Sequence, residues 1–121
     1  RHMEHTGAAP QDYDLIVTGD LGLVGSQLLC DLFGRDGVDI EKLHKDCGLM
    51  LFDRSTQDVH SGGSGCGCSA SIMCGHFLKR IESGELKRVL FCATGALMST
   101  TMIQQGGTIP GIAHAVELTS Y

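Results

Sequence analysis

The sequence predicts an α/β fold, a mixed β-sheet flanked by helices, on three observations. Short apolar, β-prone runs recur at Asp14–Thr18 (DLIVT), Cys47–Phe52 (CGLMLF) and Arg88–Thr94 (RVLFCAT). Each is the continuous hydrophobic segment that a strand buried on both faces presents. Helical patterns separate them: Val24, Leu28, Leu29, Leu32 and Phe33 define one apolar face, and a small-residue helix runs from about Gly67 to Glu82. Finally, glycine turns stand where strands end, at Gly19, in the Gly65 loop and at Gly95. In open α/β sheets, ligands bind at the carboxyl edge of the strands.

Composition sets the limits. A chain of 121 residues is one small domain or a piece of a larger one. Hydrophobic content of 42% with 17 glycines and no tryptophan describes a buried core, not a disordered tail. A net charge of −5, with only nine scattered Lys and Arg, excludes the clustered basic surface that nucleic-acid phosphates need. No apolar run approaches the roughly 20 residues that span a bilayer, and neither a transmembrane helix nor a secretory signal is expected, so membrane association is expected to be peripheral. The Lys79-Arg80 and Lys87-Arg88 pairs read as solvated helix and turn ends.

Taken in order, Glu4 to Tyr13 reads as the tail of a helix, a Gly7 stop and a Pro10 turn into the first strand. Gly19-Asp20-Leu21-Gly22 turns at the carboxyl end of that strand, and Gly34 closes the following helix. Asp39 to Asp46 is a polar connection to the second strand. Asp53 to Asp58 turns into the central loop, and the helix beyond it stops at Gly84. Ser99 to Pro110 reads as a polar loop over the sheet. Ile112 to Leu118 alternates and closes the chain as an antiparallel strand.

Everything converges on Ser61 to Ile81, SGGSGCGCSASIMCGHFLKRI. Gly63, Gly65 and Gly67 alternate just ahead of the helix. Lacking Cβ atoms, they can adopt left-handed dihedrals that aim successive amides at one anion. The six cysteines, Cys30, Cys47, Cys66, Cys68, Cys74 and Cys92, fall mostly in apolar elements and read as small hydrophobes. The Cys66-x-Cys68 pair lacks a second pair of zinc-type spacing, so no metal site is expected. These two thiols stand out because a helix N-terminus favours thiolate. His44 and His60, near Asp46 and Cys47, show no recognised ligand spacing. His76 and His114 read as packed or surface histidines, and Met50, Met73, Met98 and Met102 as filler of the core or a pocket wall.

The segments DLIVTGDLG, DCGLMLF, GGSGCGCSAS, LKRVLFCATGALMSTTMIQQ and IPGIAHAVEL resemble the C-terminal half of the stage V sporulation protein AD family, a branch of the thiolase-like superfamily. The resemblance runs from about Tyr13 to Leu118. It implies a thiolase-like fold of two similar halves, residues 1–121 supplying most of the second. The first strand and most of the first helix of that half are expected upstream of Arg1.

In the ketoacyl synthase III branch of that superfamily, a catalytic histidine follows the strand matching Asp14–Val17. Gly19 stands in its place here. The catalytic asparagine of that branch opens the central helix in a Gly-Asn-Thr-Ser-Ala-Ala-Ser segment, where this chain has Gly65-Cys66-Gly67-Cys68-Ser69-Ala70-Ser71. Condensing chemistry needs neutral donors to an enolate oxyanion; glycine offers none and a thiol is a weak one.

The resemblance therefore implies a non-enzymatic sporulation protein that binds dipicolinic acid, pyridine-2,6-dicarboxylate, and supports its uptake into the developing spore. It would lie peripherally at the spore inner membrane. Gly19, Asp20, Gly65, Cys66, Gly67, Gly95 and Ala96 are the expected pocket residues, none of them catalytic. No resident cofactor is expected, although calcium together with the dicarboxylate would answer the charge of Asp20. Expected partners are the N-terminal half of the same protein, membrane proteins of the same sporulation operon and a second copy of the chain. The alternatives are an acyltransferase or thioesterase whose nucleophile lies in the missing half or is Cys66, and a scaffold without ligand.

Overall fold

The computed structural model describes residues 1–95, 99–108 and 113–121. Its described strands form one four-stranded mixed sheet: β1 (Leu15–Thr18), β2 (His44–Asp46), β3 (Arg88–Ala93) and β4 (His114–Thr119), in the order β2-β1-β3-β4. β1 runs parallel to both β2 and β3, whereas β4 is antiparallel to β3. The carboxyl ends of β1, β2 and β3 therefore share one edge. This is the expected α/β fold.

Strand periodicity explains the layers. Successive side chains point to opposite faces. Val17 and Val89 face one core with Phe77, Ile81, Met73, Cys68, Cys47 and Leu86. Ile16 and Leu90 face the other with Tyr13 and Ile40, joined by Leu29, Cys30 and Phe33. The first core is roofed by the long helix, built from α4 (Cys68–Ile72), a π-helical stretch Met73–Phe77 and α5 (Leu78–Glu82). The second is roofed by α2 (Gly22–Arg35). The π-helical stretch shifts the face that the long helix presents part-way along its length.

The N-terminal expectation holds: α1 (His2–Thr6) ends at Gly7 in the left-handed conformation, and a 3₁₀ turn Pro10–Asp12 leads to β1. At this same amino end of β1, Arg88 lies over the Tyr13 ring at 4.8 Å and forks onto Glu117, with Nε and Nη2 donating at 2.8 and 3.2 Å. Arg80 similarly donates to Glu85 at 2.7 Å. Neither arginine is the freely solvated end that the sequence pattern predicts.

Three other expectations are corrected. Cys47–Phe52 is not a strand: β2 lies just before it, in the polar connection, and Cys47–Met50 forms a short helix, α3. The reason is Asp46, whose carboxylate caps α3 by accepting from the Leu49 amide at 3.2 Å. The stripe Val24, Leu28 and Leu32 does not face the core, since these side chains are 58%, 55% and 56% exposed. The buried side of α2 carries Gly22 and Ser26 instead, with Leu29, Cys30 and Phe33 packed on the second core. Finally, the polar segment after β3 contains a short helix, α6 (Thr100–Gln104), capped by Ser99. Pro110 and Ile112 lie outside the described residues.

Candidate functional site

The carboxyl edge of the sheet is organised by two aspartates. Asp46, at the end of β2 and 2% exposed, accepts four hydrogen bonds. Thr18 Oγ1 at 2.6 Å and the Leu21 amide at 2.9 Å reach Oδ1; the Gly22 and Leu49 amides, at 3.0 and 3.2 Å, reach Oδ2. One carboxylate thus caps the starts of two helices, where its charge meets the positive ends of their dipoles. The Leu23 amide, another free donor of α2, is taken by the Ser61 carbonyl at 2.8 Å.

Asp20, just after β1, joins the glycine turns. Its Oδ2 accepts from Ser64 Oγ at 2.8 Å and from the Gly65 amide at 3.2 Å. Its Oδ1 lies toward Gly95, 3.9 Å from where a Cβ there would sit. The Gly19 amide donates to Thr94 Oγ1 at 2.8 Å, so the turns after β1 and β3 are bonded directly. A Cβ on Gly19 would stand 2.5 Å from the Thr94 carbonyl oxygen, closer than any side chain tolerates. In the same way the Gly63 amide donates to the Gly48 carbonyl at 2.7 Å, pinning the central loop to α3.

The structure therefore brings Gly19, Asp20, Gly65 and Gly95 together. Cys66 and Gly67 follow Gly65 on an exposed turn, and Ala96 lies outside the described residues. Of the three alternating glycines only Gly65 has a positive φ, 106°. The Gly65 amide is spent on Asp20 and the Cys68 amide on the Gly65 carbonyl. That leaves the Cys66 and Gly67 amides, which make no hydrogen bond among the described residues, as the donors open to a ligand. Among the described residues no group of three or more His, Cys, Asp or Glu is arranged to hold a metal ion.

The thiols divide differently from the sequence pattern. Cys47 and Cys68 lie in the core; burial pushes Cys68 up, helped by Asp20 and Asp46, and pushes Cys47 up to about 12. Cys68 is thus no thiolate despite its place at a helix start. Cys66 and Cys74 are exposed. His76, on the exposed side of the long helix, stands 3.3 Å from Arg80 Nη1 and edge-on to Phe77; His114 is exposed on β4. Met73 is buried and Met50 packs on the core, but Met102 is 41% exposed and Met98 lies outside the described residues.

Sequence reasoning missed the polar chain under this edge. Thr18 Oγ1 gives its one proton to Asp46, so it accepts from His44 Nε2 at 2.9 Å. His44 is thereby set as the Nε2–H tautomer. Only the register, which places Thr18 beside Asp46 and Ile16 beside His44, reveals it. Burial pushes the His44 pKa down against the pull of Asp46. Because the folded value is depressed, the unfolded chain binds the extra proton first. Stability is then complete above about pH 6.5 and declines as pH falls, with a slope of at most about 1.4 kcal/mol per unit. Urea unfolding of wild type and His44→Gln at pH 7.5 and 5.5 is expected to show that loss in wild type only. Asp14, held low by the Arg88 and Lys87 amides, adds acid lability only below about pH 4.

With this geometry in view, comparison with known proteins is decisive. The stage V sporulation protein AD family matches residues 1–119. The chain belongs to that family. It is 47% identical over 116 residues to the stage V sporulation protein AD of Bacillus subtilis (strain 168), an alignment covering 96% of this chain and 34% of the relative. The chain thus spans about a third of that relative's length, and its family is one of sporulation proteins. No helix among the described residues is long and apolar enough to cross a membrane.

Proposed function

We propose that this chain is the C-terminal, thiolase-like part of a non-enzymatic protein that binds dipicolinic acid and supports its uptake into the developing spore, peripherally at the spore inner membrane. The observation that carries this reading is the meeting of three glycine turns around Asp20, with amides at Cys66 and Gly67 that make no hydrogen bond among the described residues. The tight approach of Gly19 to Thr94 leaves no room there for a histidine. A small planar dianion suits an amide-lined turn beside a long helix.

Asp20 sets the electrostatic condition. A carboxylate at the floor repels a dianion unless a cation lies between them, and its Oδ1 makes no hydrogen bond among the described residues. Calcium takes six to eight oxygens, most of which the dicarboxylate and water would supply. The ion would therefore come with the ligand instead of residing in the protein. The N-terminal half, a second copy and membrane proteins of the same operon are the partners of this reading. The apolar stripe Val24, Leu28 and Leu32 on the outside of α2 is surface available to them.

Calorimetry on the full-length protein tests it. Dipicolinate is expected to bind more tightly with calcium than without, and Cys66→Trp to weaken binding at least about tenfold, about 1.4 kcal/mol. Unchanged affinity in Cys66→Trp would remove the central loop from the site. Formation of an acyl-enzyme with turnover of acyl thioesters would overturn the binding reading.

A further inference from the structure

On the α2 face of the sheet, one turn of helix and one strand place a thiol against an imidazole. Cys30 Sγ lies 3.9 Å from His44 Nδ1. With Nε2 committed as a donor to Thr18, and Thr18 to Asp46, Nδ1 carries the free lone pair. The order thiol, imidazole, hydroxyl, carboxylate is that of a nucleophile, its base and the groups that hold the base in one tautomer and orientation. Both Cys30 and His44 line an open pocket of about 710 Å³.

Two further features of that pocket point to a ligand. Ser26, one helical turn before Cys30 and 7% exposed, lines it with a buried hydroxyl that has no partner among the described residues. Such groups are rare, because a buried hydroxyl without a partner gives up its hydration for nothing in return. The charged lining is Asp31, Asp39 and Glu41 against Arg35 alone, so the field favours a cation.

We propose that Cys30 and His44 form a reactive site apart from the candidate binding site, where the thiol exchanges with small disulfides that carry ammonium groups. His44 Nδ1 takes the Cys30 proton as the sulfur attacks one sulfur of the incoming disulfide. A new S–S bond forms on Cys30 and the incoming S–S bond breaks. The departing thiolate leaves with that electron pair and takes the proton from His44, so no further oxidant or reductant is required. Ser26 is the donor beside the departing sulfur. Burial opposes a free thiolate on Cys30, as do the carboxylates of Glu41, Asp31 and Asp39. Reactivity therefore depends on the base and on a reagent whose charge the pocket attracts.

The test uses the full-length protein, mass-spectrometric reading of the label on Cys30, and two aliphatic disulfides of opposite charge, cystamine and dithiodipropionate. Each rate is referred to that with a free thiol in solution. Cystamine is expected to be favoured about tenfold over dithiodipropionate. His44→Gln keeps a side-chain donor toward Thr18 but has no base, and is expected to slow labelling about 100-fold. It should also abolish the acid limb of the pH profile. The groups facing the pair are Asp31 and Arg35 on α2, Asp39 and Glu41 in the connection to β2, and Lys45 and Asp46 on β2 itself. If His44→Gln does not fold, the exposed Asp31→Asn/Glu41→Gln pair decides: it should erase most of the charge preference. Equal relative rates for the two reagents, a wild-type profile in His44→Gln, or label confined to Cys66 and Cys74 would overturn the proposal.

Discussion

Replacing Asp46 by alanine is expected to lower the free energy of unfolding by about 3–5 kcal/mol, the loss typical of breaking a buried charged network. The carboxylate is almost wholly buried and accepts from Thr18, Leu21, Gly22 and Leu49. Truncation leaves three backbone amides and a hydroxyl without that acceptor in a buried place, each costing desolvation that water cannot fully return. The starts of α2 and α3 both lose their cap, so the damage spans both faces of the sheet. Urea denaturation followed by circular dichroism measures it. Asp46→Asn keeps one carbonyl oxygen but turns an NH₂ toward donors, and is expected to lose about half as much. A loss below about 1 kcal/mol for Asp46→Ala would show that the network does not hold this edge together.

Gly19→Ala is expected to cost about 2–3 kcal/mol and to weaken dipicolinate binding with it, since overpacking a tight contact carries that scale of penalty. The obstacle is backbone, the Thr94 carbonyl oxygen 2.5 Å from the new methyl, with Thr94 Oγ1 at 3.1 Å beside it. Neither a rotamer change nor a flexible neighbour relieves it; β1 and β3 must part at their carboxyl ends. That movement separates Gly95 from Asp20, so the same substitution reports on stability and on the candidate site. The larger Gly19→His, which places there the residue type that the resemblance to condensing enzymes implies, is expected to be at least as destabilising and to show no condensation. A Gly19→Ala protein as stable as wild type would mean that the turns are not in register as described.

The first and third strands were legible because β1 and β3 are continuous apolar runs with turns behind them, and the antiparallel closing strand was legible by its alternation. Gly7, Pro10 and Gly84 mark boundaries by their own backbone chemistry, whereas Gly34, expected to close α2, lies within it, and Gly37 at φ 76° stands past its end. The family was legible too, through long and unusual segments around the central glycine loop. The second strand was not. His44-Lys45-Asp46 carries no apolar signal, and its buried histidine and aspartate are satisfied by Thr18 from a neighbouring strand. The following CGLM has the composition of a strand but is bent into a helical turn by an acceptor one residue upstream.

By itself, then, the sequence determined that this chain builds a mixed sheet between helices and places glycine turns at one edge, because strand and helix periods and glycine's freedom are local properties. Tertiary structure alone decided what those turns do to one another. Asp20 takes the Gly65 amide, Asp46 caps two helices, the α2 stripe is left outside, and Cys30 meets His44 across a helix and a strand. Such facts depend on which distant groups the chain brings within about 3–4 Å, the range in which hydrogen bonds and exclusion act.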